Sequence, residues 1–366
     1  LGTTPQNAIR SPFPDRIATA GDGMAANFPS LLSPATAREA LWPNNNAAPT
    51  PVDRIRRLVW KIAVATLALM AVGSATRVMN AGLACPDWPL CYGQLVPQQQ
   101  MNLQVFLEWF HRLDAALIGL STLWLVALSL WYRRQVPDWL PWAAVGALAL
   151  IGVQGALGGL TVTQLLRFDI VTAHLGTALL FFSAMLVIAC CLLPYRSTGT
   201  VGRLPWIGLA ALAVVYTQCL LGGLVGSRWA AHQCLGLKEL CQVMNSHLLG
   251  IVPTTAMVLA LTWTVWRTPA LTYPLRRLGS LVSVLLVLQL VMGIATFRLR
   301  LQIEPLTVAH HTLGAALVGT LVCFTVLAWR DARSDLSQSR LESPPEDGRL
   351  GTAETPSTPT VSTAEV

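Results

Sequence analysis

Eight runs of about 20 mostly apolar residues, separated by short polar segments, fill residues 57–331. A chain built this way has few folds open to it. A helix needs about 20 apolar residues to cross a bilayer core of ~30 Å, and in lipid every backbone N–H and C=O must find its partner within the protein. The runs lie near 58–78, 108–131, 140–163, 170–193, 205–226, 247–266, 278–297 and 307–329. They predict an all-α integral membrane protein with eight transmembrane helices. Only 12% of the residues are charged, about half the share in a soluble domain, which excludes a soluble enzyme or a wholly disordered chain. Eight cysteines are too few for a secreted disulfide scaffold of this length. They suffice for one or two local bridges on an oxidising face.

The charges set the orientation. Residues 331–366 carry seven acids against three arginines, a net −4, so with +7 overall the first 330 residues carry +11. That excess sits between membrane spans, which excludes nucleic-acid binding. Arg54, Arg56, Arg57 and Lys61 open span one, and Arg133 and Arg134 follow span two. Arg196 and Arg203, then Arg267, Arg276 and Arg277, then Arg330 and Arg333 mark the later loops of the same side. By the positive-inside rule these loops and both termini face the cytoplasm of a cell membrane, and the loops at 80–107, 164–169, 227–246 and 298–306 face outward. Residues 1–56 read as a disordered lead without a signal-peptide pattern, and 332–366 as a solvated Ser/Thr/Pro/Glu tail.

Between these ends the chain repeats itself. Gly73-Ser-Ala-Thr-Arg77 closes span one before a loop with Cys85 and Cys91; Gly223-Leu-Val-Gly-Ser-Arg228 closes span five before a loop with Cys234 and Cys241. His111 matches His247 at an offset of 136, and His174 matches His311 at 137. Gln154-Gly-Ala-Leu-Gly, Gln218-Cys-Leu-Leu-Gly and Gln289-Leu-Val-Met-Gly echo one another in spans three, five and seven. The pattern is that of two tandem four-helix bundles, residues 57–195 and 196–331, in a parallel pseudo-repeat. Four spans return the chain to its starting side, so the repeat is not the inverted kind used by many transporters.

Five of the six histidines stand at the outer ends of even-numbered spans. Single histidines there are usually interfacial, but one position recurring in every even span is a pattern. Two imidazoles on facing helices of a four-helix bundle can hold one heme iron axially. Zinc or copper prefers three or four ligands close together, so two per half suits heme better. The last position is double. His310 gives a spacing of 63 residues from His247, the same as His111 to His174. His311 shares with His247 a glycine three residues on, as His247-Leu-Leu-Gly250 and His311-Thr-Leu-Gly314. The glycine favours His311, with His310 as the alternative.

Thr76-Arg77, the run Gly82-Leu-Ala-Cys-Pro-Asp-Trp-Pro-Leu-Cys-Tyr-Gly-Gln94, Glu108-Trp-Phe-His-Arg112, His174-Leu-Gly-Thr-Ala, Gly293-Ile-Ala-Thr and His311 occur in order along residues 57–331. With these motifs the chain resembles the heme A synthase family of eight-span membrane enzymes. The resemblance implies oxidation of the C8 methyl of heme O to a formyl group, through an alcohol, for the heme A of cytochrome oxidase. It implies a b-type heme held by His247 and His311 in the C-terminal half, and the substrate heme O beside His111 and His174 in the N-terminal half. Leu248 departs from the pattern, since many relatives carry arginine after that histidine. Membrane lipid, a heme O synthase as substrate supplier, an electron carrier and a homo-oligomeric state are the partners expected.

Other residues gain candidate roles beside these. Glu108 lies three residues before His111, and its counterpart in the second half is Met244. An acid kept in one half only fits one catalytic and one electron-carrying half, with Glu108 at the edge of the substrate heme; the plainer role is a helix-start acid. Arg77, Arg112 and Arg228 are candidates for heme propionates, since guanidinium pairs bidentately with carboxylate, although arginines at span ends also snorkel. Cys85 with Cys91, and Cys234 with Cys241, read as outer-loop disulfides, the first near enough to the substrate site for a redox role. Cys190, Cys191, Cys219 and Cys323 read as small apolar fillers within spans. The competing function is a di-heme b-type electron carrier with no substrate chemistry, for which an acid in one half has no use.

Overall fold

The structure is a computed structural model. It describes residues 48–195, 197, 200–226, 238–299 and 302–342, with backbone alone for 238–241 and 334–342. Among the described residues eight long helices follow one another: α1 Pro51–Val78, α2 Leu103–Trp131, α3 Trp139–Thr163, α4 Phe168–Cys191, α5 Leu204–Val225, α6 Lys238–Arg267, α7 Tyr273–Arg298 and α8 Glu304–Glu342. Each contains a stretch long and apolar enough to cross a membrane, and the protein is a multi-pass membrane protein. No strand occurs among the described residues.

Helix ends overrun the apolar runs because caps, not hydrophobicity, set them. Thr50 accepts the Asp53 N–H at 3.2 Å while Asp53 accepts the Thr50 N–H at 3.3 Å, with Pro51 at the first helical position. This capping box starts α1 seven residues before its apolar run. Asn102 caps α2 in the same way, accepting the Val105 N–H at 3.0 Å. Inside the spans, hydroxyls turn back to the carbonyl four residues earlier, as Thr66 to Ile62 at 2.7 Å, Thr122 to Ile118 at 2.8 Å and Thr254 to Gly250 at 2.6 Å. Each of these hydroxyls is thereby paired within its own helix.

The helices pack as two closed rings. Helices α1 to α4 contact in sequence and close through α1 with α4; α5 to α8 do the same and close through α5 with α8. The rings meet where α8 packs on α1 and α4, and α4 on α5. Of the apolar stretch of α8, 72% is buried, against 17–28% for six of the other helices, so α8 is the central helix. Small residues let the backbones approach there: Gly319 of α8 faces the Phe182 ring of α4, and Gly208 of α5 faces Phe324 of α8. That is the packing used where hydrocarbon outside offers no hydrophobic drive. Leucines and valines such as Leu120, Leu249 and Val252 point outward, while Trp131, Trp139, Trp142, Trp206, Trp263 and Trp266 are exposed at the end of the bundle where α1 starts, as an interfacial aromatic belt requires. At that same end, the fully buried Asp331 accepts the Tyr195 hydroxyl at 2.8 Å.

Candidate functional site

Odd helices end, and even helices begin, at the same end of the bundle, so the residues near those ends share one face. There each odd helix offers a glycine to a histidine of the helix that follows. A Cβ on Gly73 of α1 would lie 2.7 Å from His111 Nε2 of α2. On Gly158 of α3 it would lie 3.2 Å from the His174 ring of α4, on Gly222 of α5 3.0 Å from His247 of α6, and on Gly293 of α7 3.0 Å from His310 of α8. These four glycines are flat seats against which imidazoles lie. The rings of His111 and His174 are near enough to interact electrostatically, as is that of His247 with both His310 and His311.

One turn before three of these glycines stand the echoing glutamines, on the same helix face. Gln154 Nε2 lies 3.4 Å from His174 Nε2, and Gln218 donates to the His247 carbonyl at 2.6 Å. Gln289 lies against Gly314 of α8. Nδ1 of His174, of His247 and of His310 is buried without a hydrogen-bond partner among the described residues. Buried polar atoms are normally satisfied, so half-buried rings carrying unpaired nitrogens suit a ligand supplied from outside the chain. No three His, Cys, Asp or Glu side chains converge among the described residues. The donors on offer are paired imidazoles, two in each ring of four helices, and that set fits axial coordination of a heme iron.

His311 is placed differently from its neighbour. It turns out of the C-terminal ring toward α1, with Nδ1 2.6 Å from Ser74 Oγ and Nε2 3.2 Å from Arg77 Nη2. The glycine seat on α7 therefore receives His310, the residue the sequence ranked second. Arg77 also donates to the Gly223 carbonyl at 3.4 Å and packs on Gly226.

Over the N-terminal ring lies the loop between α1 and α2. Cys85 and Cys91 are joined by a disulfide and almost fully buried. Glu108 is 4% exposed. Its Oε2 accepts the Cys85 N–H at 2.8 Å, and its Oε1 pairs with Arg112 at 2.6 Å. The Arg112 guanidinium also donates to the carbonyls of Cys85 at 3.3 Å, Asp87 at 2.6 Å and Leu90. So held, the loop lays the Trp88 ring on Gly159, beside the seat of His174. Across the loop tip Asp87 accepts the N–H groups of Tyr92 at 2.6 Å and Gly93 at 2.7 Å. The Gly93 N–H, then that of Tyr92, holds the Asp87 carboxyl below its ordinary value.

Glu108, His111 and Arg112 thus come together with the Cys85–Cys91 loop, and His174 stands under the same loop. Arg112 spends its donors on Glu108 and three carbonyls, which leaves little for a propionate. Arg77 sits at the seam of the two rings. Arg228, Cys234 and the side chain of Cys241 lie outside the described residues. The glycine seats were missing from the sequence reading, although the recurring Gln-x-x-x-Gly carried three of them.

The family model described as "Cytochrome oxidase assembly protein" (COX15-CtaA) matches residues 56–323. The chain is 28% identical to the heme A synthase of Shewanella oneidensis, over 76% of this chain and 98% of that protein. It is 29% identical to the heme A synthase of Rhodospirillum centenum, over 72% of this chain and 86% of that protein. With the heme A synthase of Sphingopyxis alaskensis it shares 25% identity, over 58% and 68% of the two chains.

Proposed function

The chain belongs to the COX15-CtaA family of cytochrome oxidase assembly proteins, and on that footing we propose how its two rings divide the work of a heme A synthase. The activity is that of an oxidoreductase converting heme O to heme A. The N-terminal ring takes the substrate, with His111 and His174 as the imidazoles beside its iron. The C-terminal ring holds a resident b-type heme through His247 and His310, in place of the His311 preferred on sequence. A b-type heme supplies one-electron acceptance, which the side chains of this chain lack. The observation that carries the proposal is the fourfold seating of a histidine on a glycine, two per ring. The two rings are read as tandem pseudo-repeats.

The protein's own residues position and enclose. Gly73 and Gly158 fix the depth of the two N-terminal imidazoles. Glu108 and Arg112 hold the disulfide loop over that site, and Trp88 lies against α3 at its rim. Excluding water there strengthens every interaction beneath. Glu108 stays in the proposal as the carboxylate of this site, acting through the loop it holds, since both its oxygens are engaged. Arg77, between the rings, is the better placed of the described arginines for a propionate. The setting is a cell membrane with both termini cytoplasmic, with lipid around the helices, a heme O synthase upstream, and an electron carrier and further copies of the chain as partners.

Extraction of pigments from the purified protein tests this against the di-heme carrier. Heme A or its alcohol precursor beside heme B is the expected result; two equivalents of heme B alone would favour the carrier.

A further inference from the structure

With His310 seated on Gly293, His311 is left without a seat of its own, yet it is the most connected of the described histidines. Arg77 has only N–H donors. Arg77 Nη2 lies 3.2 Å from His311 Nε2 and 3.5 Å from Nδ1, so the guanidinium rests against the imidazole between its two nitrogens. Nδ1 also lies 2.6 Å from Ser74 Oγ, a hydrogen bond that either atom can donate. Both ring nitrogens thus have partners on α1. Arg77 extends the link to a third helix through the Gly223 carbonyl at 3.4 Å. Its guanidinium packs on Gly226, a position with no room for a Cβ.

Three members of this network, Ser74, His311 and the Gly223 carbonyl, are each one peptide bond from a histidine site. Ser74 follows Gly73, the seat of His111. His311 follows His310. Gly223 follows Gly222, the seat of His247. Neighbouring residues of one helix cannot shift independently, and packed interiors pass displacement on rather than absorb it. A polar network set among apolar helices in a membrane is also hard to exchange for water.

We propose that His311 couples the two histidine sites: with Ser74 and Arg77 it forms a clasp between the rings that passes a change at the N-terminal site to the His247–His310 pair. It is a positioning residue, not an iron ligand. The proposal rests on the two-heme reading above.

The test uses the full-length protein purified with its b-type heme, and follows the low-spin EPR signal of that heme before and after heme O is added. In the unaltered protein heme O is expected to shift the largest g value of the b heme. In His311→Ala both hemes should bind and the shift should disappear. Ser74→Ala keeps the imidazole and Arg77 but removes the Nδ1 partner, and should shrink the shift; it carries the test if His311→Ala fails to insert. An unchanged shift in both variants overturns the proposal, as does no shift in the unaltered protein. Loss of the b-heme signal in His311→Ala makes that residue a ligand and overturns it too. A protein that binds neither heme overturns the two-heme reading and this proposal together.

Discussion

Glu108 and Arg112 stand one turn apart on α2 and share an ion pair at 2.6 Å, yet each also grips the same α1–α2 loop, Glu108 through the Cys85 N–H and Arg112 through three carbonyls. A carboxylate used this way is a clamp whose loss acts at a distance. Glu108→Gln keeps an acceptor but removes the charge. It should insert normally, keep the C-terminal b heme, and accumulate heme O or its alcohol with little heme A. Arg112→Gln leaves the carboxylate in place and frees the loop. If the clamp is what matters, both variants lose heme A formation to a similar degree in pigment analysis. Near-normal heme A in Arg112→Gln would return Glu108 to direct action on the substrate.

The same loop makes a redox and pH prediction. Cys85 and Cys91 should resist alkylation until reduced, and immediate labelling of either would contradict the disulfide. Arg112→Gln removes charge-assisted hydrogen bonds of roughly 1.5–3 kcal/mol each, so reduction by a phosphine should quicken about tenfold or more if opening of the loop limits it. Asp87 gives the pH term. Its carboxyl is held below the ordinary value of 3.8 by the Gly93 and Tyr92 N–H groups. A depressed folded value means the stabilisation is whole above the unfolded value and is lost as pH falls through the folded one. The reduction rate should be flat from about pH 7 to pH 5 and rise only below about pH 4. A rise already at pH 6 would point to another group.

The eight spans were legible because runs of Leu, Val and Ala admit no other reading at that length. The starts of α1 and α6 were not. Both helices run on through polar turns, at Asp53 to Arg57 and at Lys238 to Gln242, where hydropathy is silent. The choice between His310 and His311 turned on a glycine echo with a different meaning. Gly250 packs on Gln218 and Gly314 on Gln289. Those glycines match each other by seating glutamines, and they say nothing about which histidine three or four residues back faces inward. The residue spacing matches the histidine that meets Gly293, since His111 to His247 and His174 to His310 are both 136 apart. The Glu108–Arg112 pair was open to view as an i,i+4 pairing on a helix. Its grip on the Cys85 backbone depends on how the loop folds back, which no local pattern encodes.

His247→Ala and His310→Ala should each abolish the low-spin b-type spectrum, since either removes one of two axial donors. His111→Ala and His174→Ala should leave that spectrum and abolish heme A formation. Absorption spectra of the reduced purified variants decide it. A b-type spectrum that survives in His310→Ala would restore His311 as the ligand and undo the pairing by glycine seats.

The seats themselves can be tested by a single carbon. Gly222→Ala would bring a methyl to 3.0 Å from His247 Cε1, closer than ordinary contact. Overpacking of this kind costs about 1–3 kcal/mol, and here the imidazole itself must move. Heme B per protein should fall several-fold in Gly222→Ala. Gly158→Ala, with its methyl 3.2 Å from His174, should keep heme B and lose heme A. Gly155 is the control. It lies on α3 three residues from Gly158, and a methyl there would meet nothing within 4 Å. Gly155→Ala should leave both hemes unchanged and, by helix propensity, stabilise the protein by up to about 1 kcal/mol. The measurements are the heme content of each purified variant and its thermal unfolding. Full heme B in Gly222→Ala would mean that the imidazole has room to spare, and that the fourfold seating is packing alone.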